Sequence, residues 1–247
     1  MSDGAVAGRF PMTRHSVLLA AGSTDPEVRR RAFETLVTAY WKPVYKYLRV
    51  KWSLLDEDAQ DLTQAFFAVA FEKGYLERYD PARARFRTFL RTCLDGFAAN
   101  QRKSAQRLKR GGGAQVLSLD FAGAEGEILH HEVADGLDLD EYFRREWVRH
   151  LFALAVEALR AECARSGKLG PFALFERYDL DRPDTGERLT YARLAEELGL
   201  SPTQVTNDLA WARREFRRHV LETLREISAS EAEFQTEARA LLGIEPR

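Results

Sequence analysis

Residues 189–220 read LTYARLAEELGLSPTQVTNDLAWARREFRRHV. Leu194, Leu198, Leu200 and Leu209 make up the apolar set, and three other residues fix how two helices would meet. Ala195 is small and lets the helices approach closely. Gly199, four residues on, suits the left-handed backbone of a tight turn. Val205, six further on, fills the core from the second helix. Ser201-Pro202 then supplies an N-cap and a first-turn proline. This pattern predicts a helix-turn-helix with helices over 189–198 and 202–226. The second helix divides by angle. Val205, Leu209, Ala212 and Phe216 form an inward side, and Thr203, Asn207, Ala210, Arg214 and Arg218 an outward one. Thr203, Gln204, Asn207 and Ala210 suit base edges in a major groove. Arg213, Arg214, Arg217 and Arg218 suit phosphates.

Upstream, the same reading gives more helices. Asp25-Pro26 marks a helix start, followed by Phe33, Leu36, Val37 and Tyr40, with Pro43 expected to bend or restart the segment. Asp56 is expected to cap the next helix, with Leu62, Ala65, Phe66 and Val69 as its inner face and Gly74 closing it. Asp80-Pro81 is a second cap-like pair. A long helix with Phe86, Phe89, Leu90, Cys93 and Phe97 follows, to about Arg110. Gly111, Gly112 and Gly113 end that block. A second block opens near Leu139 with Phe143, Trp147, Leu151, Leu154 and Leu159. It is broken over Gly167–Pro171, and a polar loop spans Asp179–Glu187. The last helix is expected over Glu231–Leu242. No run alternates as a strand would. The expectation is an all-α chain of two small helical domains joined by an acidic linker. Its parts are an N-terminal tail (1–13), a helical domain (14–113), the linker (114–140), a helix-turn-helix domain (141–226) and a C-terminal helical extension (227–247).

Composition agrees with that class. Of 247 residues, 45% are hydrophobic and 30% charged, with 16 Gly and 8 Pro, which favours packed helices over a turn-rich sheet fold or a disordered chain. Cys93 and Cys163 lie in apolar surroundings and read as buried thiols, with no disulfide framework. The run Val17–Ala21 is too short for a signal peptide, and no stretch is long enough to span a bilayer, so the expected location is cytoplasmic. The net charge of −1 hides an asymmetry. Arg78, Arg83, Arg85, Arg87, Arg91, Arg102, Lys103, Arg107, Lys109 and Arg110 face only Asp80 and Asp95, and an acidic stretch follows from Asp120 to Glu146. The basic part implies a polyanion partner. Phosphate-cradling GxxxxGK[ST] and nucleophile-bearing GxSxG motifs are absent, and His130-His131-Glu132 lacks the spacing of a helical zinc site. No enzyme activity, cofactor or metal site is read here.

Two segments together resemble extracytoplasmic-function sigma factors, over roughly residues 14–110 and 147–225. Asp58-Ala59-Gln60-Asp61-Leu62-Thr63-Gln64 is similar to the family's D-A-E-D-L-x-Q, which binds the polymerase clamp helices. Arg78-Tyr79-Asp80-Pro81 and Phe86-Arg87-Thr88-Phe89-Leu90 are close to its R-F-D-P and F-x-x-W-L. The resemblance implies core RNA polymerase and promoter DNA as partners. Asp58, Gln60, Asp61, Leu62 and Gln64 would meet polymerase. Tyr79, Arg85, Phe86, Arg87, Arg91, Asn100, Arg102 and Lys103 would read and melt the −10 element. Thr203, Gln204, Asn207, Ala210, Arg213, Arg214, Arg217 and Arg218 would read the −35 element. An anti-sigma factor or a Ser/Thr kinase would be the regulator.

The chain also departs from the family. Gln60 stands in place of Glu, and Gly96 and Asn100 stand where Asn and Asp are common. Thr206 and Asp208 replace cations of a V-K-S-R-L pattern, which weakens phosphate grip. Because Gln60 omits a charge, Thr63, three residues away on the flank of that polar face, is read as a candidate phosphorylation site.

Two other readings share the helix-turn-helix. A free-standing DNA-binding regulator would bind duplex sites without polymerase. A protein–protein adaptor would have kept the fold and lost promoter binding.

Overall fold

The computed structural model describes residues 17–105, 119–129, 138–181 and 190–243, and every regular element among them is helical. The glycine junction 111–113, the pair His130-His131 and most of the expected loop 179–187 lie outside the described residues. No helix among the described residues is long and apolar enough to cross a membrane. The helices are α1 (Val17–Ala21), α2 (Pro26–Trp52), α3 (Asp56–Glu72), α4 (Phe86–Ala105), α5 (Phe121–Leu129), α6 (Leu139–Ser166), α7 (Leu169–Phe175), α8 (Tyr191–Leu198), α9 (Pro202–Ile227) and α10 (Glu231–Leu242). The chain divides into two compact units. One comprises Met1–Phe143 with Arg225–Phe234, the other Arg144–Leu224 with Gln235–Arg247.

In the first unit, α2 starts where Asp25 and Pro26 dictate. The Asp25 carboxylate accepts from the Glu27 and Val28 backbone N–H groups at 2.9 and 3.4 Å, satisfying donors that the first turn leaves open. The helix continues through Pro43 without restarting. Its inward stripe of Leu36, Tyr40, Val44, Tyr47 and Leu48 is buried. Against it pack Phe66 and Phe67 of α3 and Phe86, Leu90, Leu94 and Phe97 of α4, all buried. The rings meet edge to face or tilted, Tyr40–Phe86 at 5.4 Å and Phe66–Phe97 at 5.7 Å.

Four expectations need correction in this unit. The inner face of α3 is Ala59, Thr63, Phe66, Phe67 and Ala70, not the stripe through Leu62, Ala65 and Val69, which is only half-buried. The adjacent bulky pair Phe66-Phe67 turns the helix by about one residue to bury both rings. Asp56 does not cap α3. Leu55 occupies the N-cap position, and the Asp56 carboxylate instead accepts from Gln60 Nε2 and lies 2.6 Å from the Tyr45 hydroxyl. Cys93 is half-buried, whereas Cys163 is buried. Within the expected linker, α5 is a helix of the first unit with Phe121 and Ala124 buried.

The second unit has a core of Leu159, Cys163, Phe172, Leu174, Phe175, Leu194, Ala195, Val205, Leu209 and Ala212. Between α8 and α9 the backbone turns at Gly199, with φ +63°. Leu200 N–H donates to the Ala195 carbonyl at 2.9 Å, the long bond of a Schellman-type helix end. Ser201 Oγ accepts from Gln204 N–H at 3.2 Å and opens α9. Ala195 and Val205 are buried on either side of this turn.

Candidate functional site

The first half of α9 separates into two faces. Val205, Leu209 and Ala212 are fully buried, while Thr203, Gln204, Thr206, Asn207 and Ala210 are exposed. Thr203, Asn207, Ala210, Arg214 and Arg217 follow one another at steps of four and three and are all exposed. They form one stripe about 21 Å long, at 1.5 Å per residue. The stripe is short and polar at its N-terminal end and cationic beyond. Gln204 flanks it.

The four arginines assigned to phosphates do not share one environment. Arg214 and Arg217 are exposed. Arg213 lies on the flank, where Nε and one terminal nitrogen donate to both Asp179 oxygens at 2.8 and 2.9 Å and the other to the Tyr191 hydroxyl at 3.0 Å. The Asp179 hydrogen bond raises its pKa further. Arg218 donates to Glu215 at 2.8 Å, Glu222 at 2.9 Å and Glu162 at 2.5 Å. Arg213 thereby ties α9 to Asp179 and Tyr191, and Arg218 ties it to Glu162 of α6. A bound phosphate would have to compete with carboxylates already in place.

On α3, Asp58 and Asp61 are exposed and Gln60, Leu62 and Gln64 half-buried. Gln60 Nε2 donates to Asp56 at 2.7 Å. Leu55, just before the helix, is 73% exposed. Leu55, Asp58 and Leu62 succeed one another at helical spacing, so apolar and acidic groups share an outward face. Thr63 is not on that face. Its side chain is 0% exposed, and its hydroxyl donates to the Ala59 carbonyl at 2.7 Å. A kinase could reach the hydroxyl only by opening the helix, which removes Thr63 as a modification site of the folded chain.

The set around α4 divides in the same way. Phe86 is 1% exposed and is core, packed by Tyr79 at 5.2 Å. It is not available to stack on a base. Tyr79 is half-buried, and its hydroxyl donates to the Ala84 carbonyl at 2.9 Å. Burial pushes the pKa of that hydroxyl up, and Glu233 nearby pushes it further. Arg91 is bound by Asp95 at 3.0 Å and Asp140 at 2.6 Å and lies 3.2 Å from the Tyr47 hydroxyl. Arg85, Asn100, Arg102 and Lys103 are exposed and Arg87 half-buried. The Arg102 guanidinium lies 5.5 Å from the Trp52 ring centroid.

Three features escaped sequence reasoning. Leu55 was legible as an apolar residue immediately before an acidic first turn. Glu125 and Glu127 belong to α5, whose apolar residues Phe121, Ala124 and Ile128 form a short amphipathic pattern that Gly123 and Gly126 obscure. Glu233 lies in Ser230-Glu231-Ala232-Glu233, a capping-box sequence, but nothing local tells that its carboxylate also accepts from the Phe86 N–H at the start of α4. Comparison with protein-family models, with curated proteins and with solved structures finds no match to this chain.

Proposed function

We propose that this chain is an alternative sigma factor, a two-domain protein that docks on core RNA polymerase and directs promoter recognition, melting and initiation. The observation that carries the reading is the α9 stripe. An exposed row from Thr203 to Arg217 stands on a helix whose opposite side is locked into the core behind the Gly199 turn. That is the arrangement a helix-turn-helix needs to enter a major groove. Thr203, Gln204 and Asn207 then face base edges of the −35 element, and Arg214 and Arg217 face phosphates.

The outward face of α3, with Leu55, Asp58, Asp61 and Leu62, supports docking on the clamp. It combines apolar area with charge, and a free regulator has no need of it. The exposed Arg85, Asn100, Arg102 and Lys103 and the half-buried Arg87 would engage the −10 region and the melted strand. Catalysis belongs to the polymerase, so the role of this chain is binding.

The test is run-off transcription with purified core polymerase on a genomic promoter pool, with and without the protein. Transcripts that depend on the protein, with shared sequences upstream of their starts, are expected. Absence of such transcripts from folded protein, together with nanomolar binding to duplex sites without polymerase, would replace this reading by a free-standing regulator.

A further inference from the structure

Within the first unit, α5 lies along one side of α2. The α2 residues beneath it are Trp41, Lys42, Tyr45, Lys46 and Arg49, one face by their spacing. Phe121 packs on the Trp41 ring at 5.4 Å and the Tyr45 ring at 5.1 Å. Glu127 pairs with Lys42 at 2.8 Å and Lys46 at 2.5 Å. Glu125 accepts from Arg49 Nε at 2.8 Å and, with Asp56, lies 2.6 Å from the Tyr45 hydroxyl, whose single proton the two carboxylates share. Lys46 is only 3% exposed.

The covering helix is weak by construction. It has nine residues and includes Gly123 and Gly126, fewer than an isolated helix needs to persist in water. A Cβ on Gly126 would meet nothing within 4 Å, so no packing contact requires glycine there. Gly126 thus lowers helix propensity in a segment held by Phe121, the buried Ala124 and a few ion pairs. What it covers is two aromatic rings flanked by three cations. That combination suits a strand whose phosphates meet the cations and whose unstacked bases meet the rings. Duplex DNA, with its base faces closed, would leave the rings unused.

The geometry points to this face of α2 as a binding surface for single-stranded nucleic acid, occupied in the free chain by α5 as an internal acidic competitor. Phe121 stands in for a base, and Glu125 and Glu127 stand in for phosphates. The inference is independent of the promoter reading, because it involves neither the α9 stripe nor the outward face of α3. Failure of either leaves the other standing.

Fluorescence anisotropy of the full-length protein with a labelled oligo(dT), about 12 nucleotides long to suit one such groove, tests it. Glu125→Gln with Glu127→Gln is expected to tighten binding about tenfold at moderate salt, since two competing charges are lost. Gly126→Ala, which strengthens α5, is expected to weaken it. Lys42→Gln with Arg49→Gln on the Glu125→Gln/Glu127→Gln background should cancel the gain. Glu157→Gln with Glu231→Gln changes net charge equally at side chains that are each 65% exposed, and should leave binding within about twofold of wild type. Three outcomes overturn the inference: no gain in the Glu125/Glu127 variant, an equal gain in the charge-matched control, or a gain that survives loss of Lys42 and Arg49. A fourth is binding of an acidic peptide without binding of the oligonucleotide.

Discussion

The Glu233 carboxylate accepts the Phe86 backbone N–H at 2.8 Å, joining positions 147 residues apart within the first unit. Phe86 is the first residue of α4, whose opening N–H groups have no partner inside the helix. A carboxylate there meets both the open donor and the positive end of the helix dipole. The other Glu233 oxygen accepts from Ala229 N–H at 2.9 Å, and Ser230 Oγ accepts from Glu233 N–H at 3.2 Å. One side chain thereby starts two helices. Glu233→Ala is expected to cost about 2 kcal/mol, the usual worth of a hydrogen bond to a charged group plus a lost cap. The urea midpoint reads the loss, and faster hydrogen exchange at Phe86 and its neighbours locates it at α4.

Leu55 offers the opposite case, an apolar side chain left largely to solvent. At 73% exposed, and at an N-cap position where Ala is as poor a cap as Leu, Leu55→Ala should change stability by no more than about 0.5 kcal/mol. Affinity for core polymerase should fall at least several-fold if the outward face of α3 is the docking surface. Urea denaturation paired with a polymerase pull-down separates the two effects.

Thr63→Glu is expected to destabilise the chain by about 3 kcal/mol or more, because it forces an unpaired carboxylate into a fully enclosed site. Thr63→Val, which keeps the shape, should remain folded. A Thr63→Glu protein as stable as wild type would show that the helix can turn this residue outward.

The arginines of α9 should sort by partner. Arg214→Ala and Arg217→Ala are expected to leave the urea midpoint unchanged while each lowers the slope of log affinity against log salt by about one for promoter DNA. Arg213→Ala is expected to cost about 2 kcal/mol, since Asp179 and the Tyr191 hydroxyl lose their shared donor. Salt-dependent binding and denaturation on the same three proteins give the comparison.

Docking of α5 should fail in acid. The Arg49 hydrogen bond holds Glu125 below the ordinary carboxylate value. Burial opposes ionisation of Glu127, but Lys42 and Lys46 outweigh it and lower its pKa as well. Carboxylates with depressed values contribute stability above the unfolded value of 4.5. The contribution is lost as the pH falls below that value and through the lowered ones. Hydrogen exchange over α5 should therefore stay protected at neutral pH and rise selectively below about pH 4.5, after correction for intrinsic rates. Glu125→Gln with Glu127→Gln should remove the selective change.

Local chemistry is what the sequence by itself determined. Asp25-Pro26 starts α2, Gly199 turns the chain between α8 and α9, and α10 runs over Glu231–Leu242 as its periodicity predicts. Each depends on residues within a turn or two, through the helical repeat, a positive φ or a short-range cap. The inward side of α9 was legible for the same reason. Only the tertiary structure decided the facing of α3, because the choice between adjacent stripes rests on which rings find partners on α2 and α4. Only it decided the fate of each charge. Arg91, Arg213 and Arg218 read as free cations until Asp140, Asp179 and Glu162 are brought beside them, whereas Arg214 and Arg217 remain exposed on the same helix. A cation's role depends on the carboxylates within a few ångströms, and those come from sequence positions that no local pattern connects.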